Sequence, residues 1–521
     1  MKNDAALQKE VLKLREQLAV EQEKNKAAIT QLKTEQEKLS ERDAQIAVLN
    51  ERLKHLLKQR FAPSSEKTSP DQMGLFNEAE EAVADGVVEQ TEPETTEVTS
   101  HTRTRKPRVT IPDALPREEF IYDIPETDKI CPHDGAELTV VGSEDHEQLE
   151  IIPAKVKVIR HKRLKYACPC CDQHVVTASK PKQPIEKSLA SPGLLAYITT
   201  QKYADALSLY RQSEMFKRIG INIGRANMAN WMLKCGELVQ PLINLLTEHL
   251  HKQPRLHLDE TTLQVLDEPG KPAQSKSYMW VMTHIGKQPA CVFHYADTLS
   301  QRVPLHLLSP DNSAIMTDGY EDYERACVEY KITRLGCLAH ARRKFKDAQA
   351  LQKKGKAGKA DQALAYIQKL YLIEKKMKDE PPDKRLEVRQ RDAKPILDKL
   401  KAWLDKSLLT VAPKTKIGEA LIYLNNQWGR LIRYLEDGRY PIDNNAAERA
   451  IRPFAIGRKN WMFSKSQAGA KASANLYTLI ETAKANDLNS YEYLQHIFKE
   501  LPNAQSVEQI ERLLPWNANL G

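Results

Sequence analysis

Apolar side chains recur with a seven-residue period through the first sixty residues. With Val11 at position a, the series runs Val11, Leu18, Asn25, Leu32, Leu39, Ile46, Leu53. The matching d series is Leu7, Leu14, Glu21, Ala28, Glu35, Arg42, Leu49, Leu56, polar at its centre. A pattern sustained over about seven heptads predicts a coiled-coil helix over 1–60 that associates with itself, as a dimer or higher. Asn25 at an a position favours a parallel, in-register pair. A lone amphipathic helix lying on another domain is the alternative. From 61 to 110 the periodicity vanishes and Pro, Ser, Thr and Glu dominate, which predicts a flexible acidic linker.

Short strand-like runs, 156–161 among them, follow in a module spanning 111–180. Residues 181–250 then read as helical. Within them, a helix over 213–219, a Gly-containing turn at 220–223 and a helix over 224–233 form a helix-turn-helix-like hairpin. Arg225, Asn227 and Asn230 fall on the polar side of its second helix and are candidate DNA contacts; a purely structural helix pair has the same pattern. At 255 the period switches to two, predicting strands at 255–261, 278–285, 290–295, 314–320 and 333–337, with a helical segment at 299–308. These make up a first core part over 251–345. A charged helical stretch at 346–440 reads as an insertion, 441–485 as the second core part, and 486–521 as a helical tail.

Length and charge narrow the classes. A chain of 521 residues is too long for one core. Lys and Arg total 78 against 70 acids, a net charge of +8, and the basic clusters lie mostly in the C-terminal half. Such asymmetry permits a nucleic-acid partner. No apolar run approaches the roughly 20 residues that span a bilayer, and the N-terminus lacks a signal-peptide core. The expectation is a cytoplasmic protein. Eight cysteines, several at short spacing, fit reduced thiols there.

Cys168 and Cys171 have the two-residue gap that lets both thiolates face one zinc ion. Cys131, in CPHD, lacks a second cysteine beside it, so His133 or Asp134 must complete the set. One structural Zn²⁺ in a zinc-ribbon-like module is expected, with the fourth ligand open. Cys337 and His340 have ligand-like spacing but no second pair, and read as packing and positioning groups.

Acids carry the candidate chemistry. In RLHLDET, Asp259 projects near the end of the first core strand; in AIMTDGY, Asp318 ends the fourth. Three strands, a helix and a fourth strand with acids on the first and fourth is the layout of an RNase H-like fold. Glu448 opens a helix in PIDNNAAERAIRPFAIGRKNW (441–461), where Asp443, Asn444 and Asn445 offer N-cap side chains. Three carboxylates make the count needed to hold two divalent ions. Arg342, Arg343, Arg449, Arg452, Arg458 and Lys459 surround them in sequence as candidate phosphate contacts, and Trp461 as a platform for an unpaired base. The fold class expected is multidomain α/β: N-terminal coiled coil, zinc-ribbon-like module, helical DNA-binding region, and RNase H-like core with a helical insertion.

FAPSSEK (61–67), LFNEAE (75–80), LHLDET, MTDGY, GCLAHARRKF, DNNAAERAIRP and GRKNW occur in one order along the chain. On these motifs the sequence resembles the bacterial insertion-sequence-66 family of transposases, the large TnpC-type protein, over essentially its whole length. The resemblance implies a DDE site on Asp259, Asp318 and Glu448, dependence on two Mg²⁺ ions, and DNA cleavage and strand transfer at the element's terminal inverted repeats. It also implies small accessory proteins from the same element. CPHD departs from the family, whose members often show a CxxC pair there. A non-catalytic DNA-binding regulator, or a metal-dependent nuclease that cuts without joining, would share many of these features.

Overall fold

The computed structural model describes residues 156–167, 175–352 and 358–520, and helical residues within 21–53. The chain divides into two compact units, one over 88–180 and one formed by 1–87 with 181–521.

In the smaller unit the described part is a short hairpin preceded by 156–164, where the strand-like run expected at 156–161 forms no strand and lies exposed. β1 (Lys165–Ala167) runs antiparallel to β2 (Val175–Thr177), with Tyr166 opposite Val176. Beyond the ladder, Arg163 Nε donates to the Ala178 carbonyl at 2.6 Å.

The larger unit is built on a six-stranded sheet. β3 (Arg255–Asp267), β4 (Lys276–His284) and β5 (Ala290–Ala296) are antiparallel neighbours. On its other side β3 pairs in parallel with β6 (Ala314–Thr317), and β6 with β7 (Thr333–Gly336), giving the order β5-β4-β3-β6-β7. Nearly every residue of β4, β5 and β6 is buried, as expected of strands covered on both faces. β3 runs well past the expected 261, because Leu263 and Val265 keep the alternation going. Its far end pairs with β8 (Ser464–Ser466).

Helices α1 (Pro192–Tyr203), α2 (Leu209–Arg218), α3 (Arg225–Leu238) and α4 (Gln240–His251) precede the sheet. Ser191 and Ser208 cap the first two by accepting from Leu194 and Arg211 N–H groups. Residues 181–250, read above as a region of their own, share one hydrophobic core with the sheet and with the C-terminal helices. Within the larger unit, two short helices follow β5: α5 (Arg302–Leu307) and α6 (Glu324–Tyr330). The second is anchored by little more than Ala326 and Cys327, so the sequence pattern did not announce it.

After β7, α7 (Leu338–Gln349) leads into the insertion, α8 (Lys359–Lys376), α9 (Pro382–Val388), α10 (Lys394–Leu408) and α11 (Lys416–Leu431). These helices bury a second cluster of their own, including Phe345, Ile367, Leu400 and Leu424. The chain then returns to the sheet through α12 (Asn445–Trp461), which lies on β3 and β4.

α13 (Gln467–Ala485) covers β5, the free edge of the sheet. Thr478 Oγ1 accepts the Phe293 N–H at 2.8 Å, and Thr482 Oγ1 accepts that of Cys291 at 3.1 Å. Edge groups that would invite another strand are thereby satisfied within the chain. α13 also crosses α3 closely: a Cβ on Gly236 would stand 2.6 Å from Ala472. α14 (Ser490–Glu500) and α15 (Val507–Glu511) follow; α14 buries Tyr493, Leu494, Ile497 and Phe498 in the main core. Among the described residues, no helix is long and apolar enough to cross a membrane.

Candidate active site

The sheet register brings the two aspartates together. β3 and β6 pair through His257 and Met316, and the same register carried two residues on sets Asp259 beside Asp318. Asp259 is buried, and its Oδ1 accepts the Glu260 N–H at 2.9 Å. The fourth strand stops at Thr317, one residue short of Asp318, whose Oδ1 accepts the Tyr320 N–H at 2.9 Å. This turn is braced by Arg334, only 1% exposed, which donates to Thr317 Oγ1, the Asp318 carbonyl and the Tyr320 carbonyl. α11 presses on the same turn, and a Cβ on Gly319 would meet the Tyr423 ring at 2.9 Å.

Glu448 reaches the site from the first turn of α12. The helix start is held by Asn444, which is fully buried. Its amide donates to the Leu258 carbonyl at 2.7 Å, its Oδ1 lies 3.1 Å from His257 Nδ1, and its backbone N–H reaches Cys337 Sγ at 3.2 Å. Asn444 thus stands at the N-cap position, as expected, but its side chain makes no cap hydrogen bond. It is spent on β3 instead.

Glu448 itself is 5% exposed. Arg343 Nη2 donates to its Oε2 at 3.0 Å, while His340 Nδ1 stands 3.4 Å from Oε1. Neither that nitrogen nor that oxygen makes a hydrogen bond, although both are sealed from solvent. Cys337, His340 and Glu448 form the one tight group of metal-ligating atoms among the described residues, all within 4.8 Å. Asp259 and Asp318 stand outside that tight group.

The electrostatics are those of crowded acids. Burial, then the charges of Glu260, Glu448 and Asp318, drive the Asp259 carboxyl well above the usual range. Burial and Asp318 push Glu260 to about 8, against a Tyr323 O–H that donates to it at 2.5 Å. Glu448 is raised by burial and pulled back by Arg343, Arg452 and Arg449. Burial, with Arg343 and Lys344 nearby, holds the His340 ring down to about 4. Carboxylates brought together in a buried site repel one another unless a cation lies among them.

The other expected contacts separate into two groups. Arg449 and Lys459 are exposed on α12, and Arg452 is half-buried. Arg225, Asn227 and Asn230 lie exposed on α3, with the Arg225 guanidinium 5.6 Å over the Tyr210 ring. Arg458, by contrast, is buried, and donates to Thr261 and Thr262 at 3.2 and 2.9 Å, tying α12 to β3. Arg342 is buried too, and Arg343 is engaged with Glu448. Trp461 packs edge-on against Phe454, centroids 5.4 Å apart, under the Lys202 ammonium. Cys131, His133, Asp134, Cys168, Cys170 and Cys171 lie outside the described residues.

Sequence reasoning missed Asn444 as a clamp and Arg334 as a brace. A signal existed for the second: an arginine between Ile332 and Leu335 in a buried strand demands internal partners. For Asn444 none existed locally, since its partners lie far along the chain.

Comparison with known proteins follows the same segments. A profile described as Transposase IS66 family matches residues 187–472. Others match a zinc-finger binding domain of transposase IS66 at 128–172, an IS66 C-terminal element at 478–516, and Transposase C of IS166 homeodomain at 48–120. Two similar proteins of Sinorhizobium fredii are both called uncharacterized. One, y4qI, is 32% identical over 428 residues, covering 80% of this chain and 78% of its own. The other, y4jD, is 30% identical over 420 residues, covering 78% and 81%.

Proposed function

The chain belongs to the Transposase IS66 family, and from that premise we propose that Asp259, Asp318 and Glu448 are the DDE centre of a DNA-cleaving and strand-joining enzyme. The core is read as RNase H-like, which the strand order and directions support. A single observation carries the site: three acids from β3, the end of β6 and α12 converge in a buried place, where a Glu448 oxygen has no hydrogen-bond partner. That donor set fits divalent ions such as Mg²⁺, which favour carboxylate oxygens.

Two ions held by Asp259, Asp318 and Glu448 would polarise the scissile phosphate and activate water, then the freed DNA 3′-hydroxyl, for in-line attack. The chain's own groups position and neutralise, and supply no nucleophile. Arg343 fixes one Glu448 oxygen, and Arg334 fixes the turn that carries Asp318. Arg449, Arg452 and Lys459 meet the DNA backbone beside the site, while α3 offers Arg225, Asn227 and Asn230 for reading the terminal repeats. Arg458 and Trp461 serve the packing of α12 instead.

One structural zinc in the module at 128–172 belongs to the same reading; Cys131, His133, Cys168 and Cys171 make a suitable thiolate and imidazole set. So does self-association through the N-terminal helix, where Leu32, Leu39, Ile46, Leu49 and Leu53 are each between 54% and 61% exposed. The test is incubation of the purified protein with labelled element ends and Mg²⁺, scoring nicks and joined products. Nicks without joining would favour a nuclease. Binding without either would favour a regulator.

A further inference from the structure

We propose that His340 is an additional ligand at this centre, its Nδ1 and Glu448 Oε1 holding the same divalent ion. The inference rests on the reading of Asp259, Asp318 and Glu448 as a metal centre. The two oxygens of Glu448 are treated unequally: Oε2 accepts from Arg343, while Oε1 is buried with no donor. The atom facing Oε1 at 3.4 Å is His340 Nδ1, equally sealed and equally without a partner. Two buried polar atoms 3.4 Å apart, each without a hydrogen bond, are reconciled by a cation that both can bind when the imidazole carries its proton on Nε2.

The placement is rigid. The Leu338 N–H donates to the Ile442 carbonyl at 3.1 Å, and the Asn444 N–H to Cys337 Sγ at 3.2 Å, so the starts of α7 and α12 are pinned together. Cys337 Sγ lies within 4.8 Å of the other two and accepts the Asn444 N–H, but its soft sulfur is a poor match for the ions that carboxylates favour, so it is left out of the ligand set. An imidazole nitrogen among carboxylates changes which ion is preferred. Carboxylates suit both Mg²⁺ and Mn²⁺, whereas an added imidazole nitrogen favours transition ions such as Mn²⁺ and Zn²⁺ over Mg²⁺.

Mn²⁺ is the probe, since its bound form reports its ligands and thiolate sites prefer softer metals. The full-length protein is loaded with Mn²⁺ without DNA, and pulsed electron paramagnetic resonance is read for modulation from a directly bonded nitrogen. We expect that modulation in the wild type and its loss in His340→Ala. Mn²⁺ affinity should fall by roughly tenfold or more in that variant, and Mg²⁺ affinity far less. If the alanine variant does not fold, His340→Gln serves, with the same outcomes. Bound Mn²⁺ without nitrogen modulation, modulation that survives in the variant, or equal losses for Mn²⁺ and Mg²⁺ would overturn the inference and leave the DDE reading intact. Mn²⁺ binding indifferent to Asp259→Asn and Asp318→Asn would overturn the DDE reading itself.

Discussion

The side-chain amide of Asn444 donates to the carbonyl of Leu258 at 2.7 Å, joining residues 186 positions apart. One hydrogen bond thus ties the residue before Asp259 to the start of the helix that carries Glu448. Replacing Asn444 by Ala leaves the Leu258 carbonyl unpaired in the core and takes a partner from His257. The expected cost is about 2–3 kcal/mol of stability. Activity should fall further than stability explains, because the acids lose their common reference. Denaturant unfolding beside cleavage assays at a temperature where the variant remains folded would separate the two effects.

Asp259→Asn should stabilise the metal-free protein. The wild-type carboxyl is buried beside Glu260, Glu448 and Asp318 and is held well above its ordinary range, so ionising it at neutral pH works against folding. The neutral amide removes that burden, by about 1 kcal/mol on the scale of relieved functional strain. Mg²⁺ should raise the melting temperature of the wild type and have little effect on the variant. A variant less stable than wild type in chelator would mean that Asp259 has a structural partner.

Glu448→Gln keeps the length of the side chain and removes its charge. Cleavage and joining should fall on the order of 10²–10³-fold or more, the scale of losing one preorganised electrostatic contact. Binding to element ends, measured by gel shift, should persist. Arg452→Ala should do the reverse, weakening binding in a salt-dependent way. Near-normal strand transfer by Glu448→Gln would move the third acid elsewhere, with Glu260 the next candidate.

His257 gives a pH dependence whose sign is fixed by burial. Burial, with Arg449 and His284 nearby, lowers its ring to about 4 from an ordinary 6.5. Between those values the unfolded chain takes a proton that the folded chain refuses, so the group costs stability as pH falls from about 6.5 to about 4. At about 1.4 kcal/mol per unit, the loss approaches 3 kcal/mol at the acid end. The raised acids push the opposite way, so the informative quantity is the difference between His257→Asn and wild type. That difference should shift in favour of the variant below pH 6.5; a constant offset from pH 4 to 8 would contradict it.

Removing residues before 61 should halve the mass measured by light scattering at low concentration. The exposed stripe of Leu32, Leu39, Ile46, Leu49 and Leu53 is the surface that would be lost from a dimer. An unchanged mass would assign association to another part of the chain.

Much of the sheet was readable because its strands carry strong local signals. SYMWVMTH and ACVFHYA are runs of β-branched and aromatic residues, and both are strands where the pattern sets them. The far half of β3 was missed because Asp259, Glu260, Thr261 and Thr262 break the apolar alternation before Leu263 and Val265 resume it. Thr261, Thr262 and Gln264 are used by Arg458 and the Ala273 carbonyl, partners that only the fold supplies. Arg458 and Trp461 illustrate the same limit from the other side. Composition marks them as nucleic-acid contacts, yet burial against β3 and Phe454 decides what they touch. Glu448 was legible as an acid among bases, but its contact with Arg343 and its approach to His340 at 3.4 Å were not.

The clamp between Leu258 and Asn444 also has a bearing on the order of events at the ribosome. The 186 positions between its two ends take roughly 10–40 s to synthesise at about 5–20 residues per second. Within that interval the nascent chain, already bearing the helices α1–α4, acquires both aspartates, yet no Glu448 to complete the acid set. A chain terminated early in the insertion would keep every group proposed to read DNA ends and lack one proposed to cut them. Such a fragment would also lack α12, α13 and α14, which complete the core around α1–α4, so the groups proposed to read the ends would be made long before the packing that holds them in place.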